Sequence, residues 1–278
     1  MKSDYEPAEI IDDSSDEEYI IQPKVTSLQP KVASLKKSKN LKVLKPKNVL
    51  KSCYNEEHNV YEIGVDEAGR GPLFGRVYTA AVILPKDETF DFSKVKDSKK
   101  FHSKKKIEEA AEYVKQNALA WHVSYADERK IDEINILQAT QLSMHDCINE
   151  VRKKYNKMLK EQNKFEKTDF NYNLLIDGNY FKPITTFNKT TNKIETLAYM
   201  TVEGGDNTYA SIAAASILAK VERDKYIDEL CEQNPELSEH YGIDSNKGYG
   251  AKKHMDGIKE HGITIWHRRS FAPCKNYV

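Results

Sequence analysis

Cysteine is scarce in this chain. Its 278 residues carry four, Cys53, Cys147, Cys231 and Cys274, far apart and with no CxxC pair. That argues against a disulfide framework or a thiolate zinc site, and for reduced thiols in a reducing compartment. Long apolar runs are missing too: no stretch approaches the roughly 18 consecutive apolar residues of a membrane helix, so no membrane association is expected. Net charge is absent, with 43 Lys and Arg against 43 Asp and Glu, so the overall balance names no partner. The N-terminus lacks the apolar segment of a secretory signal, and its eight acids and single Lys in the first 18 residues do not suit a mitochondrial transit sequence. A cytoplasmic location is expected.

What the first 58 residues do contain is segregated charge. After the acidic stretch comes a two-unit repeat, QPKVTSL (22–28) and QPKVASL (29–35), and from Lys31 to Lys51 there are eight Lys and no acid. Such sequence buries too little apolar area to offset its ordering entropy, so residues 1–58 are expected to form a disordered tail. The Lys-rich run suits non-specific contact with nucleic acid, or a nuclear address.

From residue 59 to 278 the patterning changes to that of a folded α/β domain. VYEIGVD (60–66), VYTAAVILP (77–85), LAWHVSYAD (119–127), NYNLLIDGN (171–179) and AYMTVEGGD (198–206) have the β-branched, apolar character of strands. Helical spacing places Ile107, Ala110, Ala111, Val114 and Ala118 on one face. A longer helix is expected over 133–159, with Ile134, Leu137, Leu142, Ile148 and Val151 inward. Residues 208–233 and 251–261 also read as helices, and the alanines at 213–215 allow close helix–sheet packing.

Four acids share a context. Asp66, Asp177 and Asp206 each close an apolar strand, and Glu67 follows Asp66. An acid ending a buried strand is costly unless something positive compensates it. Carboxylates from separate strand ends can converge beside a sheet, where oxygen ligands suit Mg²⁺ or Mn²⁺. Two such ions are a known arrangement for phosphodiester cleavage. Taken singly, the acids read equally well as turn formers, and Asp206 as the N-cap of the helix that follows. Gly69-Arg70-Gly71 adds close backbone approach and a guanidinium fork, both suited to phosphate.

DEAGRGPLFGRVYTAAVIL (66–84) resembles the opening signature of ribonuclease HII. DSKK (97–100), LLIDGN (174–179), GGD (204–206), IAAASILAKVERD (212–224), NKGYGAKKH (246–254) and WHRRSF (266–271) match further motifs of that family in order. The resemblance covers about residues 60–275. It implies a ribonuclease H-like fold, with a mixed central sheet flanked by helices and a helical C-terminal part. It implies a metal-dependent endonuclease, using Mg²⁺ or Mn²⁺ in a two-metal mechanism. The substrates implied are the RNA strand of RNA/DNA hybrids and DNA duplexes with embedded ribonucleotides, nicked on the 5′ side to leave 5′-phosphate and 3′-hydroxyl ends.

By motif, the resemblance makes Asp66, Glu67, Asp177 and Asp206 the metal-ligating acids. It places Gly69, Arg70 and Gly71 against the 2′-OH and adjacent phosphates, Tyr249 against the sugar at the RNA–DNA junction, and Lys99 and Lys220 near the bound strand. A monomer is expected. His254, His261 and His267 are expected in structural or phosphate-contact roles, and Arg223-Asp224 as a local salt bridge.

The sequence departs from the family pattern where VEGGD lacks the Lys often found before the fourth acid. The 29-residue separation of Asp177 and Asp206, and the segment 153–171, are expected to add surface length. Two alternatives stay open: a ribonuclease HIII-like enzyme needing longer RNA stretches, and a non-catalytic nucleic-acid-binding module. Retention of all four acids speaks against the second.

Overall fold

The computed structural model describes residues 50–57, 59–162, 171–188 and 192–278. The acidic stretch, the repeat and most of the Lys-rich run lie outside them.

In chain order the elements are β1 (Val60–Ala68), β2 (Val77–Ile83), α1 (Lys104–Asn117), β3 (Ala120–Ala126), α2 (Glu128–Glu161), β4 (Asn171–Asp177), β5 (Thr185–Asn188), β6 (Lys193–Thr196), β7 (Ala198–Val202), α3 (Ala210–Gln233), α4 (Glu236–Tyr241), α5 (Ile243–Asn246) and α6 (Lys252–His261). The main sheet runs β3-β2-β1-β4-β7. β1 pairs antiparallel with β2, and β2 with β3, whereas β1, β4 and β7 run parallel. This is the mixed sheet flanked by helices that the family resemblance implies.

Strand periodicity divides the core into two layers. Ile63, Val65, Ala81, Ile83, Leu174 and Ile176 face α2, packing on Met144, Ile148 and Val151. The alternate residues Ala80 and Val82 face α1 and α3, against Ala110, Val114, Ala214, Ala215 and Leu218. The alanine stretch of α3 does lie flat on the sheet, and Gly64 shows how closely: a Cβ there would sit 2.2 Å from the Ser211 carbonyl carbon. A third cluster, from Phe74, Ile227, Leu237, Tyr241, Ile243 and Ile258, builds the helical C-terminal part.

Three expectations need correction. α2 begins at Glu128 and is broken at Asn135 (φ 67°, ψ 162°), whose side chain accepts from the Gln138 amide and caps the second segment. Leu142 is 53% exposed, not inward. It lies six residues before Ile148, which at about 100° per residue puts it about 120° off that face, while Met144 lies on it. Segment 153–171 is not simply surface length either: α2 runs on to Glu161 and buries Tyr155 and Leu159, Tyr155 packing edge-on against Tyr61 with ring centroids 4.7 Å apart. Residues 163–170 lie outside the described residues. The length added after Asp177 is on the surface as expected, folded into the antiparallel β5–β6 hairpin.

Residues 50–57 lie on the domain. The Lys51 amide donates to Thr208 O, and its carbonyl accepts from the Ala210 amide. Buried Glu62 accepts from the amides of Tyr54 and Asn55.

Candidate active site

Pairing register brings the acids together. Val65 is level with Ile176 in the parallel β1–β4 pair, so the next residues, Asp66 and Asp177, end adjacent strands side by side. Both share strand parity with residues packed under α3: Gly64 beneath Ser211, and Leu175 against Ile212. β4 pairs in turn with β7, Asp177 opposite Val202. The chain then turns at Gly204 (φ +63°) into a single 3₁₀ turn, Gly205–Asn207, that carries Asp206. Asp206 thus does not end a strand, and the N-cap of α3 is Tyr209. The carboxyl ends of parallel strands are where open α/β sheets place their ligands.

Each acid has its own donor. Asp66 Oδ1 accepts from the Glu67 amide at 2.7 Å and Asp177 Oδ1 from the Gly205 amide at 2.7 Å. Glu67 Oε1 meets Arg70 Nη1 at 3.2 Å. Asp206 Oδ2 lies 3.3 Å from Lys99 Nζ, and its Oδ1 accepts from Asn207 at 3.1 Å. Lys99, from the DSKK turn, supplies the positive charge that VEGGD lacks. Among the described residues no three His, Cys, Asp or Glu side chains close into a ligand cluster.

The acids nonetheless feel one another. Burial, then the Asp177 and Glu67 carboxylates, push Asp66 well above the usual carboxylate range, against the pull of Ser216 and the Glu67 amide. Burial raises Glu67 although Arg70 opposes it, and burial followed by Asp206 raises Asp177. An array of oxygen-only donors that repel one another at a buried edge fits a hard divalent cation, which would relieve all of those repulsions at once.

Nine of the ten expected site residues line one cleft of about 330 Å³: Asp66, Glu67, Gly69, Arg70, Gly71, Lys99, Asp177, Lys220 and Tyr249. Asp206 is buried beside it, reached through Lys99. Gly71 and Tyr249 are neighbours in the cleft's lining, a Cβ on Gly71 falling 3.4 Å from the Tyr249 ring. Tyr249 is 50% exposed and free to meet a ligand. Lys220 enters from α3 and is paired with Asp224 at 2.7 Å.

The expected Arg223–Asp224 pair is therefore replaced by Lys220–Asp224. Arg223 is buried, and its guanidinium donates to the carbonyls of Phe74, Arg76 and Lys247, tying the loop after β1 to the segment that leads into Tyr249. Gly69 (φ +93°) makes room for it; a Cβ there would lie 2.1 Å from Arg223 Nε. His254 and His267 are structural. His254 Nδ1 lies 2.9 Å from the Tyr249 carbonyl and acts as donor, its Nε2 accepts from His267 Nε2 at 3.0 Å, and His267 Nδ1 accepts from the Thr264 amide at 2.9 Å. Burial keeps both rings neutral, with His267 pushed down to about 3.

Sequence reasoning missed Arg268. It is fully buried and donates to four backbone carbonyls of the glycine-rich loop. Its place in WHRRSF was the only signal.

Comparison with known proteins agrees with this architecture. The ribonuclease HII family model matches residues 63–274. A ribonuclease HII of Phocaeicola vulgatus is 42% identical over 213 residues, covering 77% of this chain and 90% of that protein. Among solved structures, ribonuclease H2 of Pyrococcus horikoshii superposes with a TM-score of 0.57 at 20% identity, covering 78% of this chain and 96% of that one. A Bst ribonuclease HIII solved in complex with Mn²⁺ gives 0.53 at 18% identity, with coverage of 79% and 69%. These two likenesses speak for the fold. The family-model match and the 42% identical relative show that the chain belongs to the ribonuclease HII family, endoribonucleases that degrade the RNA of RNA/DNA hybrids.

Proposed function

We propose that this protein is a divalent-metal-dependent endonuclease that nicks DNA duplexes on the 5′ side of an embedded ribonucleotide, as well as the RNA strand of hybrids. One observation carries the reading. Carboxylates at adjacent strand ends share a single cleft with a glycine-rich loop and an exposed tyrosine.

Asp66, Glu67, Asp177 and Asp206 are the groups that would hold the metal, Mg²⁺ or Mn²⁺, and the Mn²⁺-bound relative of like fold is in keeping with this. A divalent ion bound there supplies Lewis-acid polarisation of the phosphate and a water acidic enough to attack it at neutral pH. The remaining work belongs to the protein. Gly69-Arg70-Gly71 presents main-chain groups and a guanidinium to the ribose and its phosphates, and a 2′-OH is what separates RNA from DNA at one nucleotide. Tyr249 packs on the sugar, beside Gly71. Lys99 and Lys220 are the cleft's lysines for the strand's phosphates. The 2′-OH is a recognition handle and not the nucleophile, so the ends left are 5′-phosphate and 3′-hydroxyl.

The deciding assay uses duplexes with one ribonucleotide, four consecutive ribonucleotides or none, in Mg²⁺ and in Mn²⁺. The expected result is a nick 5′ to the lone ribonucleotide, absent from the all-DNA control and with Asp66→Asn protein. Cleavage of the four-ribonucleotide duplex alone would replace the excision reading with one requiring longer RNA.

A further inference from the structure

Among the described residues the Arg268 side chain hydrogen-bonds only to main chain, and every acceptor is in the loop that follows β1. Its Nη2 donates to Gly69 O at 2.6 Å, Nη1 to Arg70 O at 2.9 Å and Pro72 O at 2.8 Å, and Nε to Gly75 O at 2.8 Å. The partners lie 193 to 199 residues away in sequence. Burying a guanidinium without a direct carboxylate partner is costly; carbonyl dipoles replace its water, and Glu128 and Asp132 add attraction from farther off. Burial and nearby Arg223 push it down to about 9, so at neutral pH it remains a cation.

The direction of those carbonyls has a consequence for the cleft. In a trans peptide the C=O and the following N–H point opposite ways. The Gly69 carbonyl and the Arg70 N–H belong to one peptide unit, and the Arg70 carbonyl and the Gly71 N–H to the next. Arg268 draws both carbonyls inward, so both N–H groups are turned away from it. Among the described residues neither amide has a hydrogen-bond acceptor, whereas the Leu73 and Gly75 amides of the same loop donate to Gly248 O and Trp266 O. Both residues line the cleft.

We propose that Arg268 is a positioning residue for ribonucleotide recognition: by anchoring the Gly69 and Arg70 carbonyls it aims the Arg70 and Gly71 amides into the cleft as a fixed pair of donors for the ribose and its phosphate. The proposal rests on the reading that this loop meets the ribose. Donors held rigid before binding lose no orientational freedom on binding. The fork geometry is essential, because Lys has one nitrogen and cannot span four carbonyls.

The test measures binding, in EDTA, of full-length protein to a duplex with one ribonucleotide and to its all-DNA counterpart. Wild type should prefer the ribonucleotide duplex. Arg268→Lys should lose about tenfold of that preference, with all-DNA binding weakened less, since only the phosphate part of the contact is shared and the exposed lysines are retained. Arg268→Ala should lose it as well and regain part in millimolar guanidinium. A folded Arg268→Lys protein with undiminished preference overturns the proposal while leaving the loop's role intact. Equal wild-type binding to the two duplexes overturns both. An arm that needs no variant follows amide exchange at residues 70 and 71 in wild type. Slowing with the ribonucleotide duplex but not with all-DNA supports the proposal, and no slowing with either overturns it.

Discussion

Lys99 Nζ sits 3.3 Å from Asp206 Oδ2, an ammonium on an 80% exposed side chain capping a buried carboxylate. Burial works against the charge on Lys99, but Asp206, then Asp97 and Asp66, hold its pKa above the ordinary lysine value. If Asp206 is one of the metal-holding acids proposed above, Lys99 and a divalent ion would compete for it.

Lys99→Ala removes that competitor. The Mg²⁺ concentration that half-saturates thermal stabilisation should fall a few-fold, since an exposed cation is worth roughly 0.2–1 kcal/mol to its partner. Cleavage at saturating Mg²⁺ should fall in the same protein, because a phosphate contact is lost. A midpoint that is unchanged or higher would remove Asp206 from the proposed metal set.

Asp66→Asn tests the acids as a repelling group. Without metal, the variant should melt above wild type, by about 2–4 °C per kcal/mol of repulsion relieved in a chain of this size. Its melting should no longer respond to Mg²⁺. Cleavage should fall about 10³-fold or more, the equivalent of the several kcal/mol that a metal contributes to such a transition state. A variant that melts below wild type in EDTA would show that Asp66 is stabilised by its donors more than it is strained by its neighbours.

The same repulsion sets a pH dependence. Asp66, Glu67 and Asp177 all have folded pKa values raised above the ordinary 3.8 for Asp and 4.5 for Glu. Folded protein therefore binds protons more tightly than unfolded protein at these groups. Their contribution to stability is complete below the ordinary values and is lost as pH rises through the raised ones. In EDTA, wild-type protein should lose more stability than Asp66→Asn as pH rises above the ordinary carboxylate values, because its folded pKa values are the raised ones, and Mg²⁺ should shrink the difference. Parallel melting curves over that rise would contradict it.

Two glycines separate crowding from backbone strain. Gly178 (φ +95°) has nothing within 4 Å of a would-be Cβ, so Gly178→Ala should cost about 1–2 kcal/mol, the penalty for a left-handed L-residue. At Gly64 the added carbon would meet the main chain of α3, and rigid backbone cannot yield as a side chain does. Gly64→Ala should cost about 3 kcal/mol or more, by urea titration. Equal costs would mean that α3 can slide on the sheet.

Tyr249 offers a stability-neutral probe. It is half-exposed, so Tyr249→Ala should leave urea stability within about 0.5 kcal/mol of wild type. If it packs on the sugar, KM for a single-ribonucleotide duplex should rise about tenfold, in line with the 1–3 kcal/mol that aromatic stacking gives in nucleic-acid complexes. A change confined to kcat would move Tyr249 from binding to the chemical step.

The sequence by itself determined the five main strands, the acids near their ends and the glycine-rich loop, because these are short-range properties. Alternation with period two assigns faces, an apolar run marks a buried strand, and a charged residue at its end marks the rim. Asp66, Asp177 and the glycine-rich loop were legible for that reason, and the family motifs supplied Lys99, Lys220 and Tyr249. Tertiary structure alone decided the rest. A break at Asn135 reset α2, and Leu142 faces solvent although its residue type suggested core. Lys220, not Arg223, took Asp224, because Arg223 found three carbonyls it could reach only in the folded chain. Arg268 shows the limit most plainly. Its acceptors are main-chain carbonyls nearly 200 residues away, and a carbonyl carries no side-chain identity for sequence to display.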